Sequence, residues 1–101
     1  MKAQLIGANG EINDVAPANG KNFSLKELQT FVGGYIERVQ LPDGREMYCD
    51  EEGKLKKKSP NVYATMLAEL LPHDIIVGDV IVGDYKLFRD PEELQEDGNE
   101  I

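Results

Sequence analysis

An α+β domain, with two principal helices packed on one face of a mainly antiparallel sheet, is the fold class this sequence predicts. Three observations predict it. Short apolar strands come in pairs joined by turn residues, a helix between Phe23 and Gly33 carries signals at both ends, and a second helical pattern precedes a run rich in valine and isoleucine. A small barrel-like sheet is the alternative arrangement. The 101 residues suit one core, taken as residues 1–89 of a single domain followed by an acidic tail over 90–101.

The first strand is expected over Ala3 to Ile6, turning at Asn9-Gly10, a dipeptide that readily takes positive φ, and returning through "EINDVA". "APANGK" then leads to the first helix. Ser24 and Glu27 have the spacing of a capping box, and Phe23 and Leu28 that of a hydrophobic staple. Leu25, Leu28, Phe31 and Val32 share a face, and Gly33 suits the left-handed position that stops a helix.

"YIERVQL" and "REMYC" flank Pro42-Asp43-Gly44, a three-residue hairpin loop with proline opening a type I turn and Gly44 left-handed. With Leu41 facing Arg45, Val39 falls opposite Met47 and Glu37 opposite Cys49. One face then carries Tyr35, Glu37, Val39, Leu41, Met47 and Cys49, so Glu37 is a carboxylate on an apolar face. "DEEGK" makes a further turn. Ser59-Pro60 reads as the cap and first position of the second helix, whose large apolar residues Val62, Tyr63, Met66, Leu67, Leu70 and Leu71 form a broad core face ending at Pro72.

"DIIVGDVIVGD" repeats Ile-Val-Gly-Asp at a period of five. An odd period sends equivalent residues to opposite faces of a strand, which predicts a bend at Gly78-Asp79. A strand edge in this segment is a candidate for pairing between subunits, and the oligomeric state is left open. A last strand is expected over Tyr85 to Phe88, then a short capped helical turn at Asp90-Pro91-Glu92-Glu93.

Charge narrows the function classes. With 19 acidic and 11 basic residues the formal charge is -8, which disfavours nucleic acid as partner and favours a basic protein surface. The tail concentrates six carboxylates, Asp90, Glu92, Glu93, Glu96, Asp97 and Glu100, against Arg89, while Lys54, Lys56, Lys57 and Lys58 cluster in mid-chain. A tail folded over these lysines is one reading, and solvated surface the plainer one. Nothing approaches the length of apolar run that spans a membrane, and "MKAQLIGANG" is too short and polar for a signal peptide, so a cytoplasmic location without membrane association is expected. One cysteine, Cys49, excludes an internal disulfide, and with one histidine it makes a nitrogen or sulfur metal cluster improbable; no metal or cofactor is expected.

No catalytic constellation stands out. His73 lies where the second helix ends, Ser24 and Ser59 serve as caps, and "VGGY" lacks the spacing of a phosphate-binding loop. Asp79 and Asp84 follow glycines, the usual place of a turn aspartate, and Asp50, Glu51 and Glu52 lack the alternating ligands of a calcium loop. Glu37 raises the sharper question, because a carboxylate buried among apolar groups needs a partner or loses its charge. An internal partner is the plain reading. The functional one is a small-ligand site, nucleotide-like in its needs, in which Gly33 and Gly34 allow close approach and Tyr35, Glu37, Asn61 and Thr65 supply contacts. Surface capping is the plain reading of Asn61 and Thr65.

The stretch "FSLKELQTFVGGYIE", followed by "LPDG", "EEGK", "NVYATML" and "DIIVGDVIVG", resembles a family of small domains of unknown function in bacteria, their phages and mobile elements, over about Gly10 to Gly83. Asp50 departs from it, since an asparagine is usual before "EEGK". The resemblance implies a bacterial or phage cytoplasmic setting and supplies no activity, cofactor or catalytic residue. By analogy with small phage-carried proteins that act by binding, the expected role is a non-enzymatic accessory protein that contacts a host or phage protein, with small-ligand binding as the alternative.

Overall fold

The computed structural model describes residues 2–88. Its strands are β1 (Ala3–Ile6), β2 (Ile12–Val15), β3 (Ile36–Gln40), β4 (Glu46–Asp50) and β5 (Val80–Gly83), with helices α1 (Leu25–Val32) and α2 (Val62–Leu67). The sheet runs in the order β2-β1-β5-β4-β3, and every neighbouring pair is antiparallel. The expected α+β class with a mainly antiparallel sheet is present.

Both faces of this sheet are covered, which explains the unbroken burial of β4 and β5. Tyr48 and Ile81, paired across β4 and β5, pack with Leu25, Leu28 and Val32 of α1 and with Phe23 and Phe88. Their neighbours in the chain, Met47, Val80 and Val82, point the other way and pack with Ala64 of α2, Ile76 and Leu41. The helices therefore lie over opposite faces, where the sequence reading had them share one. That reading treated each hairpin as half-solvated, whereas the apolar run "VIVG" is wanted on both sides.

Most local expectations hold. Ser24 and Glu27 form the capping box, with Glu27 N–H to Ser24 Oγ at 3.1 Å and Ser24 N–H to Glu27 Oε1 at 2.8 Å, and Phe23 and Leu28 are fully buried together. Gly33 ends α1 at φ 80°. The second hairpin has the expected register, Val39 opposite Met47 and Glu37 opposite Cys49. The first turns more widely than a two-residue loop, because Gly7 N–H bonds Glu11 O and Ile6 already faces Ile12. Gly78 bends the chain at φ 79°, as the odd repeat period requires.

The α2 region differs. Asn61, not Ser59, is the N-cap, and Pro60 instead bridges Val77. The helix stops at Leu67 rather than running to Pro72, because Glu69 takes a left-handed conformation (φ 53°), with its N–H on Met66 O and the Leu70 N–H on Thr65 O. His73 thus lies in a later turn. The segment expected to offer a free strand edge is instead the middle of the sheet, since β5 is paired on both sides; the edge strands are β2 and β3. Tyr85–Leu87 is a 3-10 turn capped by Asp84, and only Phe88 bridges, to Phe23. The expected helical turn at residues 90–93 lies outside the described residues.

Candidate functional site

The glycine pair is a packing device with a charge beside it. Where β4 ends, the Asp50 side chain is fully buried, and its Oδ2 lies 2.8 Å from Lys56 Nζ and 2.7 Å from Lys58 Nζ. The Glu52 N–H bonds Oδ1 at 2.8 Å. Burial opposes ionisation of this carboxyl, but the two ammonium groups and the amide overcome it and hold its pKa down to about 2. The same lysines cap α1, Lys58 donating to Val32 O at 2.7 Å and Lys56 to Gly33 O at 3.2 Å. A Cβ on Gly34 would fall 2.5 Å from Lys56 Nζ and 2.8 Å from Asp50 Oδ1. Gly33 is thus required by its backbone, and Gly34 by the closeness of this ion cluster.

Lys56 and Lys58 of the lysine patch are accordingly engaged internally. Lys54 pairs with Asp74 in the same way, an exposed contact that holds the Asp74 carboxyl below its ordinary range. Sequence reasoning had Asp50 as a weak cation-loop residue. The signal available was its spacing to Lys56 and Lys58 across a turn held by Gly53, but nothing local says which acid of "DEE" points inward.

The remaining candidates are spread out. Tyr35 is exposed and lines a shallow depression of about 210 Å³ with Gln29, Gly34, Glu52 and Lys56. Glu37 is exposed on the edge strand, in a separate depression of about 270 Å³ with Cys49, Glu51, Lys54 and Asp74. Its register is the expected one, yet solvent reaches it, so its charge requires no internal partner. Beside it the Cys49 thiol is pushed up to about 11, by burial first and then by the Glu37 and Asp50 carboxylates. Among the described residues no group of three or more histidine, cysteine or acidic side chains is arranged to hold a metal ion.

Asn61 and Thr65 are interior, not surface, residues. Asn61 Oδ1 accepts the Ala64 N–H, and Nδ2 donates to Ile6 O at 3.0 Å and Gly78 O at 2.9 Å. Thr65 Oγ1 donates to Asn61 O and accepts the Ile76 N–H at 2.9 Å. These bonds tie α2 to the end of β1 and to the 76–78 stretch and leave little capacity for a ligand. The six residues Gly33, Gly34, Tyr35, Glu37, Asn61 and Thr65 do not share one pocket.

This tether also rotates α2. Its inward stripe is Asn61, Ala64, Thr65 and Ala68, at helical spacing and small enough for close approach. Of the six large apolar residues read as core, Leu67 and Leu70 are half-buried and pack against it, whereas Val62, Tyr63, Met66 and Leu71 face out: Val62 is 62% exposed, Met66 60% and Tyr63 45%. With the turn Gly7–Gly10 and Asn61 they line a groove of about 360 Å³. Large apolar side chains signal a core, and only the polar pair at 61 and 65 hints that the opposite side turns inward.

With this geometry in view, the comparisons with known proteins place the chain. It belongs to the family described as a domain of unknown function, DUF3846, whose model matches residues 6–95. No curated protein and no solved structure matches the chain.

Proposed function

We propose that this DUF3846 domain is a non-enzymatic accessory module that acts by binding another protein, in the bacterial or phage cytoplasmic setting that its sequence resemblance implies. The observation that carries the reading is the outward face of α2. Val62, Tyr63 and Met66 are exposed together beside a groove. Contiguous exposed apolar surface rimmed by polar groups is the usual mark of an interaction site. A small-ligand reading lacks a comparable observation, since the residues that would compose it lie in separate depressions.

Site-specific photo-cross-linking tests this. A benzoylphenylalanine at position 66, in protein expressed in bacteria with a DUF3846-bearing phage or element, is expected to give a discrete adduct of higher mass. The same group at position 35, on the opposite helix's junction, serves as the control. Equal adducts from both positions, or none from position 66, would remove the reading.

A further inference from the structure

Charge decides what kind of partner segment fits the α2 groove. The groove is built from two stretches of chain, residues 3–20 and 59–85, and neither contains a lysine or arginine. They carry Glu11, Asp14, Glu69, Asp74, Asp79 and Asp84. Glu11 follows the turn that forms one wall, Glu69 lies three residues beyond Met66, and Asp79 Oδ1 accepts the Ala8 N–H of the same turn. Lys58 reaches this region beside Gly78, but its ammonium is paired with Asp50 and with Val32 O. Lys54 is likewise paired, with Asp74, and Arg38 and Arg45 pair with Glu46 and Asp43 on the β3–β4 hairpin. The apolar groove is therefore set between stretches of net negative charge, which Lys2, Lys21, Lys58 and Lys86 bound in the chain.

From this we propose that the groove receives a basic amphipathic polypeptide segment, whose apolar side chains seat against Val62, Tyr63 and Met66 while flanking lysine or arginine residues face Glu11, Glu69 and Asp79. The proposal rests on the protein-binding reading above and names the partner's chemistry. A second copy of this chain fits poorly, because it would bring the same carboxylates face to face. An anionic polymer is disfavoured for the same reason, and a purely cationic one leaves the apolar surface uncovered. The combination is the helix-in-groove mode, with apolar anchors for affinity and rim charge for selection and speed of encounter.

The experiment is a titration of the isotope-labelled protein, followed by amide chemical shifts, with three synthetic peptides of about 18 residues, long enough to be helical. One is an amphipathic leucine/lysine helix, one the same helix with glutamate for lysine, and one oligolysine. The leucine/lysine peptide is expected to shift amides of residues 7–10 and 61–66, to bind at least about tenfold more tightly than oligolysine, and to lose about tenfold in the double variant Val62→Ser/Met66→Ser. Both substituted positions are exposed, so an unchanged spectrum elsewhere reports an intact fold. Equal binding of the leucine/glutamate peptide, shifts confined to other surfaces, or no shifts at all would overturn the proposal. Should the position 66 cross-link persist in any of those cases, the protein-binding reading stands and only the partner's basic character falls.

Discussion

Asp50 is the residue on which the glycine junction turns. Its carboxylate is fully buried, while Lys56 and Lys58 keep part of their side chains in water, so the three members are not equivalent. Replacing the acid frees two lysines that can rehydrate; removing the lysines strands a buried anion. Asp50→Asn preserves shape but loses the charge-assisted bonds, and is expected to lower unfolding free energy at neutral pH by about 2 kcal/mol in urea denaturation. Lys56→Met/Lys58→Met should cost more, about 3 kcal/mol, because the carboxylate is left unpaired. Gly34→Ala intrudes on the same cluster, and its pinned acid cannot give way as the lysine tip can, so a loss of about 1–3 kcal/mol is expected. An unchanged denaturation midpoint in Asp50→Asn would mean that the cluster is a solvated surface contact.

At the scale of elements, α2 carries the largest gap between sequence and structure. The caps, staple and turns around α1 and the β3–β4 hairpin are legible because each is a local device of three to five residues. The orientation of α2 depends on Asn61 reaching the carbonyls of Ile6 and Gly78, partners far from it in the chain, which no local pattern announces. Asn61→Ala removes a cap and leaves two buried carbonyls without that donor, and should cost about 3 kcal/mol in thermal or urea unfolding. Glu69 is the converse case. A side chain at φ 53° costs about 1–2 kcal/mol relative to glycine, and glycine's greater freedom in the unfolded chain returns about 0.4–1, so Glu69→Gly should stabilise by roughly 0.5–1 kcal/mol. A lower melting temperature in that variant would show that the helix end is held by something other than backbone geometry. The side on which each helix lies was equally hidden, since adjacent residues of a doubly covered strand are all apolar and show no alternation.

For the whole molecule, the two most strongly shifted groups bracket its pH range. Asp50 titrates near 2 when folded against an ordinary 3.8, so its contribution is complete above about pH 4 and vanishes as pH falls through 2. Cys49 titrates near 11 when folded against an ordinary 9.0; the unfolded chain loses that proton first, so stability falls as pH rises from 9 to 11. Melting temperature plotted against pH should therefore decline at both ends, with Asp50→Asn flattening the acid limb and Cys49→Ala the alkaline one. No helix among the described residues is long and apolar enough to cross a membrane. Five cations, Arg38, Arg45, Lys54, Lys56 and Lys58, are engaged by local acids, and residues 3–20 and 59–85, which include α2, hold six carboxylates and no lysine or arginine.

The central claim is that the surface for function is the outward face of α2 and not the glycine junction, and the most direct measurement sets the two against each other. Val62→Ser/Met66→Ser and Tyr35→Ser/Glu37→Gln alter exposed side chains only, and each should leave the melting temperature within a few degrees. Partner retained on immobilised protein would then be quantified for both. Loss of partner in the α2 variant with full retention in the junction variant is the result expected. Loss in the junction variant alone would contradict the account and return function to Tyr35 and Glu37.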